Sequence, residues 1–297
     1  MLSNNIKIGL RNLKKHRTHA VINIIGLTVG IASFLLIMMY VQYELSYDSH
    51  LSKKHFLFRA IEVQHAPGVG DQHVAITMGP LGPSLKHDFP EIKDYLRIWN
   101  TGDLPVTYED KKFKQQGVVY TDPSVFSMFD IELLIGDKKE ALEQVNSVVI
   151  SEKIANKLFG GIEQAYGKIL TFNSKNAYKI TAVMKNLPKN FHLQFEMMVS
   201  FSTAEKENVW IKKDWENNSF VTYLQLAANT DVKKLESKFP KFFEKHIDIK
   251  DNAINFELYL QPITDVHLYS NYIKFQWQTK AGDIQIVNVF TLIAILI

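Results

Sequence analysis

The chain contains no cysteine among its 297 residues, which excludes disulfide bonds, thiolate zinc sites and thiol catalysis. It also lacks the G-x-x-x-x-G-K-S/T loop, so nucleotide binding by that device is excluded. The serine-nucleophile signatures G-x-S-x-G and S-x-x-K are absent, as is the metalloprotease motif H-E-x-x-H. An anchored hydrolase is therefore the weakest functional hypothesis. We predict no catalytic residue, no cofactor and no metal site.

Basic residues are not clustered on any later segment that would form a nucleic-acid-binding face. Five lysines and arginines precede residue 20 with no acidic residue among them, so this segment carries +5. The whole chain carries +3, which leaves −2 for the remainder. The basic balance therefore reflects the N-terminus alone, and we expect no nucleic-acid partner.

Within 1–19, apolar and basic side chains recur with helical spacing. These residues are Ile6, Leu10 and Leu13 on the apolar face and Lys7, Arg11 and Lys14 on the basic face. The pattern predicts a short amphipathic helix that lies on the cytoplasmic leaflet of a membrane. A disordered basic tail is the alternative, because so short a helix is marginal on its own.

Residues 20–43 form a run of 24 residues without a charge. As a helix this run is about 36 Å long, enough to cross the ~30 Å hydrocarbon core of a bilayer. A buried core helix is rarely so long and uncharged, and the apolar core of a cleaved signal peptide is shorter, about 7–15 residues. We therefore predict an uncleaved membrane helix. The basic residues before it place the N-terminus in the cytoplasm, and everything from Glu44 onward outside.

Small residues recur along one face of this predicted membrane helix. Gly26 and Gly30 form a G-x-x-x-G pair, and Ser33 continues the same stripe. Such a face lets another membrane helix approach closely. Because glycine is common in membrane helices, a chance match is the alternative.

A second uncharged stretch, 286–297, lies at the end of the chain. Its twelve residues would cover about 18 Å as a helix, which is too short to span a bilayer. It is either the start of a second membrane helix or a buried strand or helix. We favour the start of a membrane helix, because neither glycine nor proline follows Gly282 to end one. The chain would then be a fragment of a longer protein.

The region 44–285 mixes helix and strand patterns, which indicates an α+β fold. Its predicted strands are 55–64, 147–150, 220–226 and 256–261, with a hairpin over 106–120 and two strands over 168–185 that place Tyr178, Ile180 and Ala182 on one face. Its predicted helices lie within 78–91, 121–129, 151–159 and 231–246. Ser151 is the expected N-cap of the third, and Pro240 is expected to break the fourth.

Several segments, in this order and spacing, resemble the MacB/FtsX type of ABC transporter permease. At the start they are NIIGL at 23–27, GIA at 30–32 and YELSYD at 43–48. Further along they are 85–92, 125–136, 148–160, 180–188, 258–270 and the approach to a second membrane helix after Gly282. Each segment alone is loosely similar to the family, but the segments are distributed over nearly the whole chain, and their order and spacing make the resemblance fairly specific.

The resemblance implies a two-lobed periplasmic core domain over 44–285, with 106–187 as an inserted β-rich lobe. It implies a bacterial inner-membrane protein that works with a separate cytoplasmic ABC ATPase subunit, since no fused ATPase precedes the first helix. A homodimer or a pair of permease subunits is implied, and a periplasmic adaptor stays open as a further partner. Tyr43, Glu44, Tyr47 and Asp48 would form the junction between membrane and periplasm that passes motion outward.

One alternative function stays open from the sequence. A membrane-anchored extracytoplasmic binding or sensor domain, with no ATPase partner, would show the same basic N-terminus, the same apolar run and a similar outer domain. At least three further membrane helices in the parent gene would favour the permease. A single further helix would favour the sensor.

Overall fold

The computed structural model describes residues 11, 15–66, 68, 70–109, 111–172, 176–247, 255–277 and 281–297. They divide into two compact units. One unit comprises the described residues up to Ser46 together with Asp283–Ile297. The other, Tyr47–Gly282, contains all the strands, and we call it the sheet domain.

The helices and strands alternate irregularly along the chain. The helices are α1 (Arg17–Leu45), α2 (Leu81–Asp88), α3 (Val125–Met128), α4 (Glu152–Phe159), α5 (Ile162–Ala165), α6 (Phe201–Glu207), α7 (Val232–Glu236), α8 (Phe239–His246) and α9 (Ile284–Leu296). The strands are β1 (Leu57–Ala66), β2 (Gly70–Val74), β3 (Thr77–Met78), β4 (Ile92–Asn100), β5 (Leu104–Tyr108), β6 (Lys111–Gln115), β7 (Val118–Thr121), β8 (Leu133–Ile135), β9 (Ser147–Ser151), β10 (Ile169–Phe172), β11 (Asn176–Met184), β12 (Met197–Ser200), β13 (Asn218–Leu226) and β14 (Asn255–Pro262).

The first unit is built on the long helix α1, which has 29 residues. It is long and apolar enough to cross a membrane, and none of the residues in its most apolar window is buried. A core helix of a soluble protein would bury much of that surface, so the exposure argues against that alternative. The helix predicted over 20–43 is confirmed, and it begins three residues earlier and ends two residues later than predicted.

The apolar stretch at the end of the chain is also helical. Helix α9 begins at Ile284, where the Asp283 side chain accepts a hydrogen bond from Gln285 N at 2.7 Å and so caps the first turn. The sequence left a helix and a buried strand open for 286–297, and the helix is the one observed. That it starts a membrane span stays a prediction.

The strands of the sheet domain hydrogen-bond into one mixed sheet. Their order is β14-β1-β13-β4-β7-β12-β9-β11-β10-β5-β6, with β2 beside β1, β3 beside β13 and β8 beside β11. The pairs β7–β12 and β9–β11 run parallel, and the other pairs along this order are antiparallel. The predicted mixed α/β class is therefore confirmed.

The boundaries of the predicted inserted lobe, 106–187, do not coincide with a break in this sheet. Strand β7 lies within the range, but it pairs with β4 on one side and β12 on the other, and both of these lie outside it. A division of the domain into two lobes stays a prediction.

Local sequence signals place several elements correctly. Helix α4 begins after Ser151, whose side chain accepts from Ile154 N, and it ends at Gly160 in the left-handed conformation, φ 79°. Pro240 lies in the first turn of α8, where a missing N–H costs little, so the predicted helix over 231–246 is observed as α7 followed by α8.

The prediction that Tyr178, Ile180 and Ala182 share one face of β11 is wrong for Ala182. Tyr178 and Ile180 pack into one hydrophobic cluster, whereas Ala182 packs into another. The register between β11 and β9 shifts between Ile180 and Ala182. This bulge adds one residue to β11, which reverses the in–out alternation beyond it.

Five strands of the described sheet were not predicted, namely β2, β3, β4, β8 and β12. Strand β4 interrupts its apolar pattern with Asp94 and Arg97, and Arg97 is nevertheless buried. Strand β12 has four residues, all of them buried, so it shows no alternation that would distinguish it from a short helical segment.

Strand β1 carries a buried carboxylate, Glu62. Its Oε1 accepts hydrogen bonds from the side-chain amides of Gln64 and Asn218, each at 2.8 Å. Its Oε2 is buried and has no hydrogen-bond partner within the described part of the chain. Burial raises the pKa of Glu62 above its ordinary 4.5, and the two amide hydrogen bonds only oppose this rise.

Glu62→Gln is expected to stabilise the sheet domain progressively as the pH rises, relative to the unsubstituted domain. The folded pKa of Glu62 lies above the unfolded one, so wild-type stability is lost as the pH rises from 4.5 through the folded pKa. Glutamine does not titrate, so the Glu62→Gln domain does not lose stability in this way as the pH rises. Urea unfolding of both proteins at a series of pH values measures the difference.

The control for this prediction is Glu257→Gln. Glu257 lies on the neighbouring strand β14 with a side chain 72% exposed, so its loss removes the same charge without relieving burial. It should show no comparable trend with pH. A difference between Glu62→Gln and wild type that stays constant from acidic to neutral pH would contradict the prediction.

Candidate functional site where the chain enters and leaves the sheet domain

No group of three or more His, Cys, Asp or Glu residues among the described residues is placed to hold a metal ion. An open cleft of about 960 Å³ is lined by lysines and carboxylates, of which Lys86 and Asp94 pair at 2.8 Å. Ser151 Oγ donates to Glu196 Oε2 at 2.5 Å and accepts from a helix N–H, which is a capping role. A connected group of buried polar side chains lies elsewhere, at the two ends of the domain's chain.

His267 contacts the chain both where it enters the sheet domain and where it leaves. The His267 ring is buried and stacks on Tyr47, the first residue of the domain, with ring centroids 3.3 Å apart and planes 4° from parallel. The His267 carbonyl accepts a hydrogen bond at 2.9 Å from the N–H of Gly282, the last residue of the domain. One residue therefore holds both segments.

Asp48 anchors the entering segment more deeply. Its carboxylate is buried, and Oδ1 accepts from the backbone N–H of His192 at 3.1 Å and lies 2.8 Å from His192 Nδ1. The Asp48 N–H donates to the carbonyl of Asn190 at 2.9 Å. Asp48 has a positive φ of 56°, a conformation that aspartate and asparagine tolerate better than most residues.

His192 continues this network to the sheet. Its Nε2 lies 2.8 Å from the hydroxyl of Tyr223 on β13, and the His192 side chain is completely buried. An ionised carboxylate only accepts, so Nδ1 carries the proton that bonds Asp48. In the neutral ring, Nε2 then accepts from the Tyr223 O–H.

Arg59 on β1 holds the turn that contains His267. Its guanidinium is completely buried, and Nη2 donates to Gln261 Oε1 at 2.7 Å and to Ser270 Oγ at 2.9 Å. Ser270 Oγ in turn donates to the Val266 carbonyl at 2.7 Å, next to His267. Burial lowers the pKa of Arg59, and the nearby Tyr223 and Asp48 act against the lowering.

The two anchors converge on neighbouring positions of the sheet. Arg59 on β1 is paired directly with Tyr223 on β13 and, on its other side, with Gln261 on β14. The entering segment reaches Tyr223 through Asp48 and His192. The leaving segment, at Gly282, reaches Arg59 through His267 and the turn that contains Ser270. Both ends of the domain's chain are thus tied to one row across the sheet.

The four predicted junction residues divide between the two units. Tyr43 and Glu44 lie in the last turn of α1, where the Tyr43 carbonyl accepts from the N–H and the hydroxyl of Ser46 at 3.1 and 2.7 Å. Tyr47 and Asp48 lie in the sheet domain. Their role in passing motion outward stays a prediction.

The sequence did not identify the partners of the junction residues. Arg59 left one signal, since it is a charged residue within the apolar pattern at the start of β1. His267 and Ser270 fall in the segment 258–270, which the family resemblance marked without assigning a role. His192 and Tyr223 show no local pattern, because they meet Asp48 only through the tertiary fold.

One residue of the predicted small-residue stripe of α1 lies beside α9, and a role of the stripe in membrane-helix packing stays a prediction. A Cβ built on Gly30 would lie 3.6 Å from Ile297 Cγ2, the first residue after α9, whereas one built on Gly26 meets nothing within 4 Å. The two helices also meet where the rings of Tyr40 and Phe290 lie 5.3 Å apart. Ser33 is partly buried. Gly30 therefore lies against the end of α9.

Gly30→Leu is expected to weaken the packing of α9 on α1, because a large side chain would displace Ile297. Overpacking costs at least about 1 kcal/mol, which corresponds to roughly a fivefold lower population of the packed state. Cysteines introduced at Tyr40 and Phe290 can be joined by a short bis-maleimide, and the crosslinked fraction measures that population. The chain has no cysteine of its own, so no other site reacts. Gly26→Leu is the matched control, and an equal loss with it would show that contact with α9 is not the cause.

The predicted amphipathic segment lies almost entirely outside the described residues. Ile6, Lys7, Leu10, Leu13 and Lys14 belong to that part of the chain. Arg11 is described and is helical and exposed. A role of this segment on the cytoplasmic leaflet stays a prediction.

Residues 20–241 match the family described as MacB-like periplasmic core domain. Among solved structures, a domain assigned to a permease protein from Porphyromonas gingivalis has a TM-score of 0.65 at 19% identity, covering 82% of this chain and 98% of that one. The periplasmic region of MacB from Actinobacillus actinomycetemcomitans has a TM-score of 0.47 at 12% identity, covering 69% and 88%. The extracellular domain of the noncanonic ABC-type transporter YknZ from Gram-positive bacteria has 0.44 at 14%, covering 68% and 99%. No curated protein matches the chain.

Proposed function

Since this chain belongs to the family of MacB-like periplasmic core domains, we propose that it is a permease subunit of an ABC transporter. In this role it transmits ATP-driven motion across the inner membrane to its periplasmic sheet domain, for export, efflux or extraction of a periplasmic substrate. ATP hydrolysis belongs to a separate cytoplasmic subunit, and this chain is not catalytic. A second permease copy or a paired permease completes the membrane part, and a periplasmic adaptor is a further candidate partner.

The observation that carries this proposal is that both ends of the sheet domain, at Tyr47 and at Gly282, are attached to one row of residues across the sheet. A domain moved by membrane helices needs firm connections at the points where those helices join it, because a loose linker would absorb the motion. The Tyr47–His267 stack, the Gly282–His267 hydrogen bond and the Asp48–His192 contact supply such connections on both sides. A tethered binding domain would need only one flexible linker.

The proposed orientation places the basic N-terminus in the cytoplasm and the sheet domain in the periplasm. It is supported by the five basic residues before residue 20 and the lack of acidic ones there. A single cysteine at Val209, an exposed residue of the sheet domain, should react with a membrane-impermeant maleimide in intact spheroplasts. A single cysteine at His16 should react only after lysis. The opposite pattern would overturn the orientation.

The decisive experiment is retrieval of the ATPase. The membrane-embedded full-length protein, carrying an affinity tag and solubilised gently, should co-purify with a protein that contains a phosphate-binding G-x-x-x-x-G-K-S/T loop. The sheet domain alone, exported to the periplasm with the same tag, is the control and should retrieve none. If the membrane-embedded protein retrieves no such ATPase, the permease proposal fails and an anchored sensor is the better interpretation.

A further inference from the structure

We propose that His267 is the positioning residue that locks the entering and leaving segments of the sheet domain together, so that motion of the membrane helices reaches the sheet as one displacement. This inference rests on the proposed function and names the residue through which that function would act. No motif or charge pattern marks His267; its position between the two segments does.

The first step is that His267 is the meeting point of two segments far apart in sequence. Tyr47 stacks on the imidazole and the Gly282 N–H bonds the carbonyl at 2.9 Å, so the side chain holds one segment and the backbone holds the other. Tyr47 is joined to the end of α1 through Ser46, and Gly282 is followed by the N-cap of α9. Separation of the two segments requires loss of one of these contacts.

The second step is that His267 cannot move independently of the sheet. The turn that contains it is closed by a hydrogen bond from Tyr269 N to the Asp265 carbonyl at 2.9 Å and by one from Ser270 Oγ to the Val266 carbonyl at 2.7 Å. Ser270 also accepts from the buried Arg59 guanidinium. A buried guanidinium held by several hydrogen bonds is costly to displace, so the turn and strand β1 move together.

The third step is that the stack and the Asp48 anchor make different connections. Asp48 Oδ1 contacts His192, which ties the entering segment to the sheet through Tyr223. The Tyr47 ring lies on His267, whose carbonyl holds Gly282, so the stack links the entering segment to the leaving one. Loss of the stack would weaken this link while the Asp48 anchor to the sheet stays in place.

The test uses the full-length protein with its ATPase in a membrane. The chain has no cysteine, so spin labels at His16→Cys and Val209→Cys report one distance without background. ATP should shift the distance distribution of the otherwise unsubstituted protein. ATP should change the ratio of the short-distance to the long-distance population. In His267→Ala this change should be at least about threefold smaller than in the parent, because residues along a coupled network alter coupling by such factors. His267→Phe keeps a flat ring and should restore the shift.

The matched control is His246→Ala. His246 also stacks on an aromatic ring, that of Trp215, with centroids 4.6 Å apart, but it lies on α8 away from both segments. It should leave the ATP-dependent shift unchanged, which separates coupling from general loss of a histidine stack. A His267→Ala protein with the parent's full shift would overturn the inference.

Two further outcomes are kept apart by the design. If His267→Ala does not fold, Tyr47→Ala is the second variant, because it removes the same stack at a ring that is partly exposed. It should reduce the ATP-dependent shift similarly. A folded Tyr47→Ala protein with the full shift would overturn the inference. If the parent protein binds its ATPase and shows no ATP-dependent shift, or binds none, the proposed function itself fails.

Discussion

Arg97→Met should lower the free energy of unfolding of the sheet domain by about 3–5 kcal/mol, the cost of removing one partner from a buried ion pair. The Arg97 side chain is 4% exposed, and its Nε and Nη2 bond the two oxygens of Asp122 at 3.0 and 2.8 Å. Asp122 Oδ2 also accepts from the Arg97 backbone N–H at 2.8 Å. Loss of the guanidinium would leave the Asp122 carboxylate buried without its counter-charge.

The size of this effect also reflects how many elements Arg97 joins. Its Nη1 donates to the Gly79 carbonyl at 3.0 Å, ahead of α2, and its Nη2 reaches Glu205 on α6 at 3.1 Å. The guanidinium lies 3.8 Å from the centroid of the Phe201 ring. Methionine fills part of the volume but supplies none of the five donors of arginine. Strand β4, α2 and α6 would therefore lose a common anchor.

Denaturant unfolding of the sheet domain, residues 47–282, measures this prediction, with Lys86→Met as the control. Lys86 pairs with Asp94 at 2.8 Å, but the two side chains are 43% and 30% exposed, so removal of this cation should cost no more than about 1 kcal/mol. Arg97→Met combined with Asp122→Asn should lose less than Arg97→Met alone, because no charge is left buried. Equal losses for Arg97→Met and Lys86→Met would contradict the prediction.

Asp48→Ala should destabilise the sheet domain by about 2–6 kcal/mol, because it removes the acceptor that Asp48 offers to two buried donors of His192, at about 1–3 kcal/mol each. Those donors are the His192 backbone N–H and Nδ1–H, at 3.1 and 2.8 Å from Asp48 Oδ1. Alanine also fits poorly at the positive φ of 56°. The loss falls at the start of the domain, where the proposed function requires a firm connection.

Asp48→Asn is the matched control for that substitution. Asparagine tolerates a positive φ and keeps one oxygen to accept from His192, so its loss of stability should be clearly smaller. Tyr223→Phe removes only the far end of the network and should cost about 1 kcal/mol. Thermal or urea unfolding of the three variants gives the order. If alanine and asparagine cost the same at position 48, acceptance of the His192 hydrogen bonds is not the role of Asp48.

The sequence by itself determined the elements that depend on neighbouring residues. An uncharged run of 24 residues specifies an apolar helix, and α1 covers it. Ser151 and Gly160 delimit α4, and Pro240 lies in the first turn of α8, because caps and a missing N–H act within one helical turn. The family was also readable from the sequence, since segments in the same order along most of the chain resemble it, in agreement with the match over 20–241.

Only the tertiary structure decided which side chains form the candidate site. Asp48 and His192 lie 144 positions apart, and Arg59 and Ser270 lie 211 apart, so no periodic pattern or cap connects them. The bulge that turns Ala182 away from Ile180 likewise depends on the partner strand β9. Helix and turn signals arise from contacts within a few residues. Strand order, register and buried polar pairs arise when the sheet brings distant segments together, which is why a single sequence indicates the former and not the latter.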